Sequence, residues 1–586
     1  MSDSDTATGT PNPAARSAGI LIPVFSIRTE DDLGIGDVGG LRQFVDWAAG
    51  AGWGFVQLLP VNETGPDNSP YNSISSVALE PLTIDCSPTA LPELSEADYW
   101  RLLGEHGIDR LRRGNVQYEA IRGLKQALLW EAFSGFLKTQ YRQGTKDDEA
   151  FHAFCEDEAD WLGDYCLFRL LMDMEGGSHV WQNWGEDFNT IEKARTYVDG
   201  LLEVEAEKTE RQLVYYAWVQ WTAFSQWRSV REYADSKGVC LMGDIPYGIS
   251  ACSVDVFANP DIFDLDWYGG APPEKLFKDD PFVQKWGQNW GIPLYRWDVL
   301  KERDYDWWRQ RVGKVTEMFS MFRIDHALGF YRIYSFPWNP VRNDEFFPLS
   351  EDEAADRCEG RRPGFRPHPD DSDENKAANR ESGEVIYRVL IDAAGEAVII
   401  AEDLGVVPDY VSPSLTSLGI PGMAVPQWNF DGDQIRKGEN YPELSFATYA
   451  THDHFPIKAQ WEQARATFLD ESKRDTHEQW EARQFLFPLC QFAGIEIEND
   501  QPPLFTAEVR EKLLGALYQT PSRYAGVMIT DLFGLTDRVN VPGVMEGSNW
   551  AWRLEPTVTE LSRNPHWTSM TEASRKLLIE SGRAAE

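Results

Sequence analysis

The sequence predicts an α/β protein, a (β/α)8 (TIM) barrel with large, mostly helical insertions between barrel strands, and three observations carry that prediction. Eight short β-rich runs, most of them ending in a polar or charged residue, alternate with long stretches whose apolar residues fall at helical spacing. Several runs end in a carboxylate, which is where side chains converge on the mouth of such a barrel. The chain has 586 residues, 42% hydrophobic and 25% charged, enough for a large globular core and too balanced for a disordered or fibrous protein.

The elements follow in order. The start, MSDSDTATGTPNPAARSAG, lacks the basic and then apolar layout of a secretory signal, so residues 1–18 are expected to be a flexible tail. Residues 19–85 are expected to hold the first two strands, at 20–24 and 55–60. The third run, 239–244, lies about 180 residues further on, far beyond an ordinary βα connection, so 86–236 is expected to be an inserted subdomain. It should be mainly helical, because 120–140 carries apolar residues at helical spacing and 211–237 reads as a long helix stopped by Gly238. Residues 237–556 are expected to complete the barrel with runs at 319–325, 397–402, 423–427, 446–453 and 526–531. Within that stretch 351–384, rich in Arg, Asp and Pro without periodicity, reads as a solvated loop after the fourth strand, and 557–586 as a C-terminal helical segment.

Composition excludes several function classes. With 55 Lys+Arg against 94 Asp+Glu the formal charge is −39, which repels nucleic acid phosphates and anionic lipid. No run of about 18 apolar residues offers a membrane span. The seven cysteines (Cys86, Cys155, Cys166, Cys240, Cys252, Cys358, Cys490) are scattered and form no CxxC pair, which fits reduced thiols in a cytoplasmic enzyme.

Three carboxylates stand at predicted strand ends: Asp325 in Met321-Phe-Arg-Ile-Asp-His326, Glu402 in Ile400-Ala-Glu-Asp-Leu-Gly405, and Asp453 in Tyr449-Ala-Thr-His-Asp-His454. Two carboxylates across one bond are what glycoside chemistry requires, one to attack the anomeric carbon and one to protonate the leaving oxygen. Arg323 lies two residues before Asp325, hence on the same face of the strand, where its guanidinium would favour the ionised nucleophile. Glu402 follows an apolar run, and desolvation there would raise its pKa toward that of a general acid. Taken singly, each carboxylate is as readily a helix cap or an ion-pair partner. Together, with His326 and His452 beside two of them, they favour a sugar site over a His/Asp metal site, since neutral His hydrogen-bonds sugar hydroxyls. Asp244, ending the third run, is open between support and substrate contact.

The ordered motifs resemble one family over almost the whole chain. They are Gly19-Ile-Leu-Ile-Pro-Val-Phe-Ser26, Leu33-Gly-Ile-Gly-Asp37, Gln57-Leu-Leu-Pro60, Asp67-Asn-Ser-Pro-Tyr71, Gly243-Asp-Ile-Pro246, Phe257-Ala-Asn-Pro260, Trp290-Gly-Ile-Pro-Leu-Tyr-Arg-Trp297, Arg323-Ile-Asp-His326, Ala401-Glu-Asp-Leu-Gly405 and Asn540-Val-Pro-Gly543. On these the chain is identified as resembling the amylomaltases, the 4-α-glucanotransferases or disproportionating enzymes, within the wider α-amylase group of barrels. The resemblance implies that Asp325 is the nucleophile, Glu402 the general acid/base and Asp453 the transition-state stabiliser. It further implies that Arg323, His326 and His452 line the donor subsite, that Ser69, Tyr71 and Asp244 belong to the substrate-binding set, and that Asn540 hydrogen-bonds a donor glucose. Trp290 would end a loop, 269–290, that covers the glucan. His454 and Ile292 depart from the pattern, standing where the family commonly has Asn.

The activity implied is transfer of an α-1,4-glucan segment to the 4-hydroxyl of another glucan or glucose, by a retaining double displacement, without metal, nucleotide or redox cofactor. Malto-oligosaccharides and other α-1,4-glucans are the expected partners. With so few residues before the first strand, no preceding starch-binding module is expected. The alternatives are an α-1,4-glucan hydrolase using the same carboxylates, and a non-catalytic glucan-binding protein, against which the three intact carboxylates argue.

Overall fold

The computed structural model describes residues 15–274, 280–431, 434–542 and 548–585. Of the segments expected from the sequence, residues 1–14 of the tail, 275–279 of the covering loop and Gly543 of the last motif lie outside these.

Eight parallel strands close into a barrel: β1 (Ser17–Leu21), β2 (Phe55–Gln57), β3 (Cys240–Pro246), β4 (Met321–Asp325), β5 (Val398–Ala401), β6 (Gly422–Ala424), β7 (Ser445–Ala447) and β8 (Tyr524–Met528). They follow one another around the barrel in chain order, and β8 closes onto β1 in the register Ser17↔Tyr524 to Leu21↔Met528. All eight predicted runs meet a strand. The first is shifted, because Pro23 cannot donate to a ladder and Val24–Ser26 turns into a 3-10 helix instead. The run 446–453 pairs only through Ala447, and its remainder is the loop that carries Asp453.

Alternation puts one side chain in two inside the barrel. Phe55, Cys240, Met242, Met321, Ile400, Phe446 and Tyr524 form one buried cluster there. Phe55 of β2 and Phe446 of β7 are not on neighbouring strands, yet their rings lie 5.8 Å apart, so they meet across the interior. Gly526 makes the room: a Cβ on it would sit 2.4 Å from Phe446 Cζ.

Between β2 and β3 the chain runs mainly through helices, the longest being Tyr118–Thr139, Ala159–Met174 and Ala206–Ser236. The last buries Tyr215, Val219, Ala223, Trp227, Val230 and Ala234 at steps of three and four residues, with Trp218 and Thr222 beside that stripe. Trp218 and Tyr215 pack on Phe133, and Gly238 at φ 72° ends the helix in the left-handed conformation. The aromatic run in this segment is thus packing.

The segment 351–384 corrects the sequence reading, since it is not a solvated loop. It holds the helix Glu351–Arg357, opened by a Ser350/Glu353 capping box, a short strand Gly364–Arg366, and the start of a 22-residue helix, Asp373–Ala394, capped by Ser372. The buried residues of that helix, Ile386, Tyr387, Val389 and Leu390, come mostly after 384, so its first turns carry little apolar signal. The short strand closes a four-stranded antiparallel sheet that the sequence pattern does not show, in the order Gln288–Tyr295, Phe263–Ala271, Ile333–Phe336, Gly364–Arg366. The described part of 269–290 is the end of one of these strands, the helix Pro281–Trp286 and the start of the next.

The C-terminal helices Val558–Arg563 and Pro565–Glu580 pack on the outer helices of the barrel, the first on Val38–Gly50 and the second on Ala507–Gln519. Among the described residues no helix is long and apolar enough to cross a membrane. All seven cysteines are free thiols.

Candidate active site

The site grows from the register of three neighbouring strands. Asp244 on β3 stands opposite Arg323 on β4, and Pro246 opposite Asp325. The β4–β5 ladder continues one residue past the strand, with Glu402 N–H donating to Ile324 O at 3.0 Å. Asp325 and Glu402 therefore leave adjacent strands at nearly one level, at their C-terminal ends.

Arg323 organises the first side of the cleft. Its Nε donates to both oxygens of Asp244 at 3.1 and 3.0 Å, and its Nη2 donates to Asp325 Oδ1 at 2.7 Å and to the Tyr71 hydroxyl at 3.2 Å. Burial alone would lower the guanidinium pKa, but the fields of Asp244, Tyr71, Asp325 and Glu402 hold it charged, well above its ordinary value. The Tyr71 hydroxyl donates to Asp244 Oδ2 at 2.7 Å, and its ring stacks on His452 with centroids 4.9 Å apart. Of the two readings open for Asp244, the geometry favours support: its side chain is 0% exposed and is taken up by Arg323 and Tyr71. Ser69 likewise serves the loop, its Oγ accepting from Tyr71 N–H at 3.4 Å.

Glu402 sits in a different field. Its Oε2 accepts from His326 N–H at 2.8 Å and its Oε1 from Leu404 N–H at 3.1 Å. Desolvation by the cleft walls, reinforced by the charge of Asp325, outweighs these bonds and Arg323 and pushes its carboxyl up to about 8. His326 adopts the left-handed conformation at φ 48°, which turns its N–H onto Glu402. Burial brings its imidazole down to about 4, so it is neutral at pH 7, and its ring meets the edge of Trp290 at 4.8 Å.

Asp453 faces the pair from the loop after β7. Its Oδ1 accepts from Asn540 Nδ2 at 2.6 Å and its Oδ2 lies 3.3 Å from His452 Nε2. Burial opposes its ionisation, but the attraction of His452, the hydrogen bonds from His452 and Asn540, and Arg323 hold the carboxyl well below the usual carboxylate range. His454 turns back on its own loop, with Nδ1 2.8 Å from Thr451 Oγ1, and its ring lies 4.8 Å from that of Trp428. His452 and His454 do carry an HxH spacing around Asp453, but the Thr451 contact takes up Nδ1 of the second. Among the described residues no group of three or more His, Cys, Asp or Glu side chains stands as a metal site.

Arg323, Asp325, Glu402, Asp453 and His454 share one cavity of about 880 Å³, with Trp428 on its wall. The structure thus joins Tyr71, Asp244, Arg323, Asp325, His452, Asp453 and Asn540 in one contact network, and sets Glu402, His326 and Trp290 against it. Sequence reasoning passed over Trp428, Asp403 and Arg538. Asp403, next to Glu402, accepts from Met423 N–H at 2.7 Å and ties that turn to β6. The Ala401-Glu-Asp-Leu-Gly405 motif already contained it, whereas nothing in the local pattern marks Trp428.

Comparison with known proteins agrees with this architecture. A family model described as 4-alpha-glucanotransferase matches residues 22–559. The chain is 29% identical to the 4-alpha-glucanotransferase of Thermus thermophilus, covering 96% of this chain and 99% of that one. It is 29% identical to the 4-alpha-glucanotransferase of Chlamydia caviae, over 93% of this chain and 91% of the relative. Among solved structures it resembles the amylomaltase from Streptococcus agalactiae in complex with acarbose, with a TM-score of 0.73 at 24% identity, covering 97% of this chain and 100% of that one. The amylomaltase from Corynebacterium glutamicum gives 0.74 at 20% identity over 95% and 75% of the two chains. The structural likenesses speak to the fold alone.

Proposed function

The chain belongs to the 4-alpha-glucanotransferase family, and from that membership we propose how its cleft transfers a segment of an α-1,4-glucan to an acceptor sugar. The observation that carries the reading is the opposite treatment of two neighbouring carboxyls: Asp325 is bound to a guanidinium, while Glu402 is desolvated and held as an acid near neutrality.

In the first step an Asp325 oxygen attacks the anomeric carbon while Glu402 gives its proton to the glycosidic oxygen. The C–O bond breaks, the shortened glucan leaves with a free 4-hydroxyl, and the donor stays as an ester on Asp325. Glu402, now a carboxylate, then takes the proton of an incoming 4-hydroxyl, whose oxygen displaces Asp325 and restores the α-bond. Every proton and electron pair is supplied by these groups and the two sugars. Asp453, kept ionised, stabilises the positive charge that develops on the sugar ring and accepts from its hydroxyls. Neutral His326 offers a hydrogen bond to the donor sugar, and Trp290, 39% exposed beside it, offers an aromatic face to sugar C–H groups.

Malto-oligosaccharides are the substrates this reading favours, and the cytoplasm, where free thiols persist, the compartment. The test is to incubate the protein with maltotriose alone and follow chain lengths and reducing ends together. A ladder of longer sugars plus glucose at constant reducing ends is expected. Rising reducing ends with only shorter products would make it a hydrolase, and binding without turnover would make it a glucan-binding protein.

A further inference from the structure

The third carboxylate is held by a residue outside the set just described. Asp453 and Asn540 lie on different loops, one after β7 and one after β8, yet Asn540 Nδ2 reaches Asp453 Oδ1 at 2.6 Å. Two loops from different strands keep such a contact only if something fixes their spacing. Arg538 touches both: its Nη2 donates to the backbone carbonyl of Asp453 at 2.6 Å and its Nε to the backbone carbonyl of Asn540 at 3.0 Å. Its guanidinium also lies over the ring of Phe455, 4.1 Å from the centroid, two residues beyond Asp453 on the same loop. Three contacts from one planar group set the distance and the tilt between the loops, which a point-charged ammonium on a flexible stem cannot do.

We propose that Arg538 is a positioning residue of the transfer reaction, which fixes Asp453 and its partner Asn540 in the geometry that stabilises the transition state. The proposal rests on the role given above to Asp453. Arg538 bonds to backbone carbonyls, so its removal leaves the other side chains of the cleft in place but takes away a positive charge that acts on Asp453 and His454, which the charge-keeping Arg538→Lys separates from the loss of alignment. Misplacement of about 1 Å at such a site costs on the order of 100-fold in rate. Because Asp453 is used most when positive charge develops on the sugar, the loss falls on kcat rather than on binding of the undistorted substrate.

The experiment compares Arg538→Ala, Arg538→Lys and Asp453→Asn in maltotriose disproportionation, with unfolding midpoints and maltotriose affinities measured on the same samples. In Arg538→Ala kcat is expected to fall about 100-fold with KM within about twofold of wild type, and Arg538→Lys, which keeps the charge but not the fork, should fall about tenfold. The unfolding midpoint should fall only modestly, because Arg538 is partly exposed, and the loss in rate should far exceed any loss in stability. Wild-type kcat in both arginine variants, with Asp453→Asn inactive, overturns the positioning role alone. A matching loss of stability and of maltotriose affinity also overturns it, because Arg538 is then a fold residue. An active Asp453→Asn overturns the reading of Asp453 itself, whatever Arg538 does.

Discussion

At the scale of single residues, the cleft surrounds two neighbouring carboxyl groups differently. Asp325 is bound by Arg323, whereas Glu402 is desolvated and receives only backbone N–H groups. Asp325→Asn keeps the shape and removes the nucleophile, so transfer should drop by roughly 10⁴-fold or more with the fold retained, as steady-state rates beside a melting curve will show. The pH dependence follows from Glu402. Its proton is needed in the first step and is held up to about 8, so kcat/KM should be sustained through neutrality and fall as pH rises through that value. Glu402→Gln should abolish the alkaline limb together with most of the activity. Profiles with the limb unchanged in Glu402→Gln would assign the proton to another group. Much of this was legible, because Asp325, Glu402 and Asp453 end predicted strands. For Asp244 the sequence left support and substrate contact both open, since burial beneath Arg323 depends on how β3 and β4 pair.

At the scale of elements, the barrel strands are short and carry few residues each, so interior volume is set by pairs. Gly526 on β8 faces Phe446 on β7, and a Cβ there would intrude to 2.4 Å on a ring held by Phe55 behind it. Gly526→Ala should therefore destabilise the chain by about 1–3 kcal/mol, read as a lower urea midpoint. The strands were readable because apolar runs ending in carboxylates are local signals. The helix Asp373–Ala394 was not, since its polar first turns say nothing of the packing that begins at Ile386. The antiparallel sheet was hidden for another reason: its pairings join residues as far apart as Tyr268 and Phe336, and no single strand of it alternates cleanly.

At the scale of the whole molecule, closure of the barrel joins residues from near both ends of the chain. Arg583, 5% exposed, donates to the carbonyls of Tyr518, Ser17, Thr520 and Ser522, at 2.7 to 2.9 Å, directly under the β1–β8 seam. Arg583→Ala removes its hydrogen bonds to Ser17 and Ser522, while the carbonyls of Tyr518 and Thr520 keep Arg16 as a donor, and should cost about 2 kcal/mol, measured by equilibrium unfolding. A midpoint equal to wild type would show the seam to be held by its ladder alone. The formal charge of −39 adds a self-repulsion that salt screens, so the melting temperature should rise between about 10 mM and 0.15 M salt as the Debye length shrinks from about 30 to 8 Å.

The sequence by itself determined the eight-stranded alternation, the helical insertion between β2 and β3, and the three carboxylates with Arg323 beside one of them, because period and strand ends are written locally. Only the tertiary structure decided that Arg323 is shared by Asp244, Asp325 and Tyr71, that Asn540 and His452 hold Asp453, and that Arg538 bridges two loops. Those properties arise from burial and from distances between strands that are far apart in the chain, and no local pattern of residues encodes them.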